Sequence, residues 1–489
     1  MAVQNKVQLI TYPDSFGGNL QALNATLKEY FPNLFSGIHI LPPFPSTGDR
    51  GFAPRTYFEI EPAFGDWTDI QEIAQKYDVI LDVMINHISR HSNQFLDFQK
   101  YGRASQYADM FITLEKIWPD GNPSKADLEK IFLRRPEHCF ADVKIESTGE
   151  IERVWATFGK KDWSEQIDLD VNAEITRKFF TEIFAFMQQK GVKMLRLDAI
   201  AFVTKKAGTS CFFVEPEIYE FLDWIHSEAD KLQVQLLPEV HAHHALQKRL
   251  AEHGEYVYNF VLPSLILHTI LNKDSETLQA YLHSCPRNQF TMLDCHDGIP
   301  VHPDIEDILT IPEMIRLVEH CLDNGANVSK IFSPQHRREG NFDVHQINCT
   351  YYSALSEDDD SYIIARAIQF FSPGIPQVYY VGLMAGINDH AAIEETGEMR
   401  AINRHNYTKN EIEFASHQPV VKRLIKLIEF RNDHPAFNGE FELVKTDSKY
   451  LTLIWRLNDE YASLTIDFQK MKSEIEFTDT NGSLELFIP

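Results

Sequence analysis

Short runs of β-branched and apolar residues recur along the chain, and segments with helical periodicity follow most of them. Eight of these runs predict strands: Lys6–Thr11, Gly37–Leu41, Asp78–Ile85, Val192–Ala199, Val234–Val240, Tyr256–Leu262, Gln289–Asp294 and Pro376–Val381. Apolar residues at helical spacing predict helices over Leu20–Tyr30, Asp69–Gln75, Ala173–Lys190, Glu217–Lys231, Ala245–Glu252, Ser275–Leu282 and Ser361–Phe371. Strands that alternate with helices in this number predict an α/β fold, a (β/α)8 TIM barrel. A doubly wound open sheet is the alternative.

Two intervals between predicted strands are too long for a plain barrel. About 100 residues separate the third strand from the fourth and about 80 separate the seventh from the eighth, so both predict inserted rim subdomains. After a predicted helix at Val420–Arg431, short alternating runs predict a small all-β C-terminal domain. The expected division is barrel 1–85, inserted domain 86–167, barrel 168–297, second inserted domain 298–360, barrel 361–435 and β domain 436–489.

Composition and charge exclude several classes of protein. The 489 residues are 44% hydrophobic and 24% charged, as in ordinary globular chains. Acidic residues outnumber basic ones 71 to 46, and a net charge of −25 makes nucleic acid and anionic membranes unsuitable main partners. No apolar run approaches a membrane span, the first residues lack the layout of a secretory signal, and the six cysteines form no C-x-x-C pair. We therefore expect a cytoplasmic monomer or homodimer with reduced thiols.

Polar clusters end four of the predicted strands, where a barrel places its catalytic groups. They are Asp82 to Asn86-His87, Arg196-Leu-Asp198, Glu239-Val-His241 and Asp294-Cys-His296-Asp297. Several carboxylates at one rim indicate glycoside hydrolysis or transfer, since a retaining enzyme needs one carboxylate as nucleophile and another as acid/base. Asp198 and Glu239 follow adjacent predicted strands, and Arg196 shares a strand face with Asp198 and can keep it ionised.

A metal site is the alternative interpretation of this rim. His87, His241 and His296 stand beside the carboxylates, and barrel hydrolases use such ligands. No H-x-H pattern occurs at the first strand, and His241-Ala-His243-His244 is placed to open a helix. We therefore expect no catalytic metal and no cofactor.

The four strand-end motifs, in this order, resemble the conserved regions of the alpha-amylase-type glycoside hydrolase superfamily. Gln166-Ile-Asp168-Leu-Asp170 is similar to a further motif of that superfamily. The resemblance covers essentially the whole chain. Leu41-Pro-Pro-Phe-Pro-Ser-Thr-Gly-Asp49-Arg50-Gly51-Phe52, Phe212-Phe-Val-Glu-Pro-Glu-Ile, Asn348-Cys-Thr-Tyr-Tyr-Ser-Ala-Leu355 and Asn403-Arg404-His405 resemble its sucrose phosphorylase branch.

The resemblance implies roles for individual residues. Asp198 would be the nucleophile, Glu239 the general acid/base and Asp297 the transition-state stabiliser. Residues implied to bind the glucosyl unit are His87, Gln166, Arg196 and His296, with Asp49 and Arg404 closing the pocket and Phe52 and Phe158 forming an aromatic wall, although core packing is the alternative for the two Phe residues. The implied partners are a sucrose-type glucoside and inorganic phosphate, which exchange through a glucosyl-enzyme with retention.

The segment Asp343-Val344-His345-Gln346 refines the expected acceptor. Sucrose phosphorylases typically carry Tyr where His345 stands, and His resembles the sucrose 6′-phosphate phosphorylases. A His can donate to a phosphate and become cationic beside it. Arg134 and Arg135 in the first insertion add positive charge, and Arg337-Arg338 is a second basic pair. Sucrose, glucosylglycerol and glucosylglycerate remain alternative substrates, and a non-catalytic sugar-binding scaffold is an alternative that the three carboxylates oppose.

Overall fold

The structure is a computed structural model that describes residues 3–159, 165–332 and 342–489. Its strands are β1 Gln8–Thr11, β2 Gly37–Ile40, β3 Asp78–Met84, β4 His87–Ser89, β5 Phe140–Lys144, β6 Ile151–Trp155, β7 Gln166–Asp168, β8 Val192–Asp198, β9 Gln235–Pro238, β10 Val257–Asn259, β11 Gln289–Thr291, β12 Ile299–Pro300, β13 Asn327–Lys330, β14 Val344–Asn348, β15 Ile375–Tyr379, β16 Glu440–Val444, β17 Tyr450–Leu457, β18 Glu460–Asp467, β19 Lys472–Thr478 and β20 Leu484–Phe487. No helix of this described part is long and apolar enough to cross a membrane.

The α-helices alternate with these strands over most of the chain. They are α1 Leu20–Glu29, α2 Trp67–Ala74, α3 Asn93–Tyr101, α4 Leu114–Ile117, α5 Lys125–Lys130, α6 Glu174–Gln189, α7 Glu217–Leu232, α8 His244–His253, α9 Leu262–Asn272, α10 Glu276–Ser284, α11 Ile311–Asp323, α12 Tyr351–Ala354, α13 Asp359–Phe371, α14 Tyr380–Leu383, α15 His390–Thr396, α16 Lys409–Ser416 and α17 Pro419–Asp433.

All eight predicted strands lie in one sheet, with the order β10-β11-β15-β1-β2-β3-β8-β9. The pairs β3–β8, β8–β9, β10–β11, β11–β15 and β1–β15 are parallel. Strands β1, β2 and β11 are buried at every residue, as expected for a parallel sheet with both faces covered. The predicted (β/α)8 barrel is confirmed.

Each predicted barrel strand is longer than the strand observed, and the sixth shows a physical reason for the difference. The sequence predicts Tyr256–Leu262, but β10 ends at Asn259 and α9 begins at Leu262. The side-chain oxygen of Asn259 accepts hydrogen bonds from the backbone N–H groups of Val261 and Leu262. This local bond turns the chain out of the strand, because an Asn side chain competes with the ladder for backbone donors.

The described residues fall into two compact units. One contains Val3, Ile40–Val240 and Ile331–Asp343, and the other contains Gln4–His39, His241–Lys330 and Val344–Pro489. The first unit carries the predicted insertion at 86–167, in which β5 and β6 pair as a hairpin and β4 pairs with β7. Trp118 stacks on Trp155 in a separate hydrophobic cluster of this segment. The domain boundaries given above stay predictions.

The second unit carries the predicted insertion at 298–360 and the C-terminal sheet. In the insertion, β14 lies between β12 and β13 in an antiparallel sheet. Strands β16 to β20 pair consecutively and antiparallel, which confirms the all-β C-terminal domain. The indole N–H of Trp455 donates to the carbonyl of Phe371 at 2.8 Å and ties this sheet to the helix α13.

Candidate active site

In the first unit, a buried arginine organises the carboxylates at the ends of β3 and β8. The register pairs Asp82 with Arg196, so their side chains share one face of the sheet. Nη1 of Arg196 donates to Asp82 and, at 2.9 Å, to Oδ1 of Asp198. Nη2 lies 3.6 Å from Oε1 of Glu239. One guanidinium therefore holds Asp198 by a direct hydrogen bond and Glu239 by a longer ion-pair contact.

Asp198 and Glu239 are brought together by the turn that follows β8. Ala199 adopts a left-handed φ of 56°, and its backbone N–H donates to Oε2 of Glu239 at 3.2 Å. Burial raises the pKa of the Asp198 carboxyl, with Glu239 and Asp82 raising it further, whereas Arg196 lowers it. Arg196 is thus the group that favours the ionised form of Asp198 against burial.

The carbonyl of Phe52 accepts hydrogen bonds from two predicted sugar-binding residues. Nε2 of His87 lies 2.9 Å from it, and Nε2 of Gln166 donates to it at 3.2 Å. Burial lowers the pKa of His87, so the ring is neutral with its proton on Nε2. Nε2 of each side chain is thus bonded to protein, whereas Oε1 of Gln166 accepts no hydrogen bond from the described residues and can accept one from a sugar hydroxyl.

The two predicted wall aromatics lie beside different residues of the candidate site. The ring of Phe158 is 5.2 Å from that of His87 and is half-buried. The guanidinium of Arg196 lies 5.8 Å from the centre of the Phe52 ring. Both rings therefore contact site residues, which favours the aromatic-wall interpretation over plain core packing.

The loop that carries Asp49 is conformationally strained. Asp49, Arg50 and Gly51 have φ values of 42°, 50° and 108°. A Cβ at Gly51 would lie 2.5 Å from the carbonyl oxygen of Pro42, so only glycine fits there. The Asp49 carboxylate acts electrostatically on His87. Strain of this kind persists where the surroundings over-determine it, which is typical of functional loops.

The predicted basic pair divides into two different environments. Arg135 is buried and donates to the carbonyls of His138 at 2.7 Å, Phe140 at 2.9 Å and Phe158 at 3.0 Å. Three of the five N–H donors of its guanidinium therefore bond backbone and support the segment around Phe158, and the expected anion contact of Arg135 stays a prediction. Arg134 is half-buried. The second basic pair, Arg337-Arg338, lies outside the described residues.

A buried lysine that the sequence reasoning missed lies behind His87. Nζ of Lys205 is 2.8 Å from Oδ2 of Asp168 and 2.9 Å from Oδ1 of Asn86. Asp168 also accepts from the backbone N–H of Thr157 at 2.9 Å. The aspartate of the motif around 166–170 is therefore a structural hub. A lysine seven residues after the nucleophile candidate offers no periodicity that would have revealed this role.

In the second unit, Asp297 is surrounded by positive groups. Its Oδ1 lies 2.5 Å from Nη1 of Arg400, 3.9 Å from Nε2 of His296 and 4.0 Å from Nη2 of Arg404. Nε2 of His241 lies 3.9 Å from its Oδ2. Burial raises the pKa of Asp297, but these four groups outweigh it and hold the pKa well below its usual range. The carboxyl is ionised at any physiological pH.

Arg400 is a second site residue that sequence reasoning missed. Besides Asp297, it donates from Nη2 to Oε1 of Gln346 at 2.9 Å. Arg404, four residues later, instead donates from Nε to the carbonyl of His296 at 2.9 Å. The 3-10 helix Met399–Asn403, with Arg404 as its C-cap, brings both arginines to this cluster. A lone arginine in so short a helix has no motif signal of its own.

His345 and Gln346 lie on β14, beside β12. His345 is buried, and its Nδ1 lies 2.7 Å from the carbonyl oxygen of His302, so Nδ1 carries the proton. The ring meets that of His241 edge-on at 5.9 Å. Asp343, in the first unit, is half-buried, and its carbonyl accepts from the N–H of Ile331 at 2.8 Å.

The described residues offer one surface group with the residue types of a metal site within the second unit. Potential ligand atoms of His243, Glu306 and Asp307 lie within 4.8 Å of one another. Both nitrogens of His243 are already used, since Nδ1 accepts from the N–H of Ala245 at 3.2 Å and Nε2 lies 3.1 Å from Asp307. The group is therefore a helix cap joined to an ion pair, as the sequence predicted for this His cluster.

Known proteins resemble this chain in sequence and in fold. The alpha-amylase catalytic domain family matches residues 11–289. A sucrose 6(F)-phosphate phosphorylase of Thermoanaerobacterium thermosaccharolyticum is 56% identical over 99% of this chain and 99% of its own. A sucrose phosphorylase of Streptococcus mutans is 42% identical over 99% of this chain and 100% of its own. The crystal structure of sucrose 6F-phosphate phosphorylase from Thermoanaerobacter thermosaccharolyticum has a TM-score of 0.98 and 55% identity, and covers 100% of this chain and 99% of its own.

Proposed function

This chain belongs to the alpha-amylase family, within its sucrose phosphorylase branch, and on that premise we propose that it converts sucrose 6′-phosphate and inorganic phosphate into α-glucose 1-phosphate and fructose 6-phosphate. The resemblance predicted from the sequence motifs is confirmed. The observation that carries the proposal is the 56% identity over nearly the full chain to a relative named for this activity.

In the first step, Asp198 attacks the anomeric carbon and the bond to the fructosyl oxygen breaks. Glu239 donates its proton to that oxygen, and fructose 6-phosphate leaves. One guanidinium, that of Arg196, reaches both carboxyl groups, which suits the separation of about 5–5.5 Å that retaining enzymes use. Arg196 bonds Asp198 more closely than Glu239, which favours the ionised form of the nucleophile against the effect of burial.

In the second step, an oxygen of inorganic phosphate attacks the same carbon of the glucosyl-enzyme. Glu239 accepts the proton of the phosphate hydroxyl, and Asp198 leaves as a carboxylate. Two inversions at one carbon produce retention, so the glucose 1-phosphate is the α-anomer.

Asp297 stabilises the positive charge that develops at the anomeric carbon. Its low pKa supports this role, because only an ionised carboxylate offsets an oxocarbenium-like charge. Asp49 and Arg404 bind the far hydroxyls of the glucosyl unit, with His87, His296 and Gln166 as further contacts.

Recognition of the fructose phosphate is assigned to His345, Gln346, Asp343 and Arg134. Since Nδ1 of His345 donates to backbone, the ring donates to phosphate from Nε2 only when it is charged. Arg135 adds positive charge beside Arg134, while three of its five N–H donors bond backbone carbonyls.

The test compares glucose 1-phosphate release from sucrose 6′-phosphate and from sucrose at equal concentration and equal phosphate. We expect kcat/KM to be at least about a hundredfold higher for the phosphorylated sugar, as one buried charge-assisted contact supplies. A preference for sucrose would reject the proposed substrate and make the 42% identical sucrose phosphorylase the better guide. Glycerol and glycerate are then the acceptors to test in the reverse reaction, with α-glucose 1-phosphate as the glucosyl donor.

The same proposal includes a reducing compartment and a small-molecule partner. All six cysteines are free thiols, which supports a cytoplasmic location. A net charge of −25 opposes a nucleic-acid partner, and we propose a monomer or homodimer. No cofactor or metal enters the proposed steps.

A further inference from the structure

A buried carboxylate next to the Asp297 cluster has no role in the steps above. Asp304 follows β12 and is 1% exposed. Neither of its carboxylate oxygens accepts a hydrogen bond from the residues that the structure describes. Its Oδ1 lies 3.5 Å from Nδ1 of His241, an ion-pair distance. A carboxylate in such surroundings is costly to bury unless a positive charge compensates it.

His241 is the group that can supply this charge. Its ring stacks on Phe260 with centres 3.8 Å apart and planes inclined by 20°, so its orientation is restricted. With Nδ1 facing Asp304, Nε2 faces Asp297 at 3.9 Å. An imidazole between two carboxylates is stabilised in its charged form.

The other titratable groups around His241 are few within the second unit. His345 on β14 meets its ring edge-on, and Arg400 holds the far oxygen of Asp297. Glu239 stands two residues earlier in the chain. Of these, the two carboxylates that face the ring nitrogens favour a charge on His241. His345 and Arg400 oppose it, and Arg400 is already neutralised by its contact with Asp297.

We propose that Asp304 is a positioning residue that acts through His241, holding the ring with Nδ1–H toward itself and keeping it positively charged beside Asp297. This inference rests on the proposed function, because the anion that gains from the charge is inorganic phosphate as second nucleophile. Phosphate approaches a chain of net charge −25 and a cluster of carboxylates, so a fixed cation lowers the electrostatic cost of its approach. Water carries no charge and gains little from the same cation.

The central experiment is Asp304→Asn, which keeps the shape of the side chain and removes its charge. We expect KM for phosphate to rise about tenfold, while hydrolysis of α-glucose 1-phosphate by water changes by less than about twofold. The alkaline limb of the phosphorolysis profile should move about one pH unit lower, since His241 loses its charge more easily. The matched control is Asp307→Asn, an exposed carboxylate three residues later, which should match the wild type.

A second readout does not depend on any substrate. The imidazole nitrogens of His241, identified by their loss in His241→Gln, are followed by ¹⁵N NMR across a pH series. We expect His241 to stay charged to higher pH in the wild type than in Asp304→Asn. Should Asp304→Asn fail to fold, Asp304→Glu replaces it. Because this variant keeps the carboxylate, we expect its KM for phosphate and its His241 titration to stay near those of the wild type.

Any of three results would overturn the inference. The first is an unchanged His241 titration in Asp304→Asn. The second is an equal loss of phosphorolysis and hydrolysis, and the third is a lower melting temperature with neither readout moved, since each of these indicates a merely structural carboxylate. If the wild type uses no phosphate at all, the proposed function fails, whereas the NMR titration still decides the link between Asp304 and His241.

Discussion

Nη1 of Arg196 bonds Oδ1 of Asp198 at 2.9 Å, whereas its Nη2 reaches Glu239 only at 3.6 Å. The guanidinium therefore acts more strongly on the nearer carboxyl group. It opposes the effect of burial on the pKa of Asp198 and favours the anion that a nucleophile requires.

Asp198→Asn should abolish phosphorolysis and leave the fold intact. The amide cannot form the glucosyl ester, so we expect kcat to fall at least about a thousandfold. The measurement is steady-state glucose 1-phosphate release with circular dichroism of the same sample. Asp142→Asn is the control, because that exposed carboxylate pairs only with exposed Arg153 and should retain full activity. Substantial activity in Asp198→Asn would remove Asp198 as the nucleophile.

The same substitution should change the pH dependence of stability. The folded pKa of Asp198 is raised, so the folded state binds the extra proton and loses stability as pH rises from about 4 to that raised pKa. Asp198→Asn removes this loss and should stabilise the protein by on the order of 1–3 kcal/mol above pH 8, and by less at pH 5.

Asp297→Asn should change the pH dependence of stability in the opposite direction. The folded pKa of Asp297 is lowered, so its contribution is present above about pH 4 and is lost as pH falls through the folded value. Thermal melts of both variants at pH 5 and pH 8 check the pair. Parallel behaviour of the two variants would contradict the charge assignments.

Arg400→Gln should lower kcat more than it raises KM. It removes the charge nearest to Asp297 and the bond that joins Asp297 to Gln346. We expect a loss of about 10- to 100-fold in kcat, of which Arg400→Lys recovers only part because lysine cannot bond both partners. Arg423→Gln, which loses an ion pair with Asp360 and a hydrogen bond to the carbonyl of Pro489, serves as the control. Wild-type kinetics in Arg400→Gln would place Arg400 outside the mechanism.

Arg134→Ala and Arg135→Ala should have different effects although the residues are adjacent. Arg135→Ala removes a buried side chain that donates to three backbone carbonyls and should lower the free energy of unfolding by about 3 kcal/mol or more. Arg134→Ala should leave the melting temperature unchanged and raise KM for sucrose 6′-phosphate more than for sucrose. Urea unfolding and substrate kinetics of both variants decide this. An equal loss of stability in the two variants would reject the different roles assigned to Arg134 and Arg135.

The strand pattern and the strand-end motifs predicted much of this molecule. Buried strands alternate with helices at lengths that the hydrophobic pattern reports directly, so all eight strands of the barrel sheet were found. Asp198 and Glu239 were expected to meet because they end adjacent strands, and β8 and β9 are indeed neighbours. The pairing of adjacent strands thus determines where these two carboxylates of the site lie.

The remaining parts depend on contacts that no local pattern encodes. The sequence predicts an anion contact for Arg135, but it does not reveal that three of its N–H donors bond carbonyls 3, 5 and 23 residues along the chain. Arg400 lies in a short 3-10 helix, and its bond to Asp297 spans 103 residues of chain. Asp304 has no motif around it, and only tertiary structure places it against His241.

The most direct measurement of retaining phosphorolysis by double displacement is a proton NMR time course of purified protein with sucrose 6′-phosphate and inorganic phosphate. We expect α-glucose 1-phosphate and fructose 6-phosphate in equal amounts from the first spectra onward, because two inversions occur at one carbon. First appearance of the β-anomer would contradict the double displacement through Asp198. Free glucose as the main product would contradict phosphate as the acceptor.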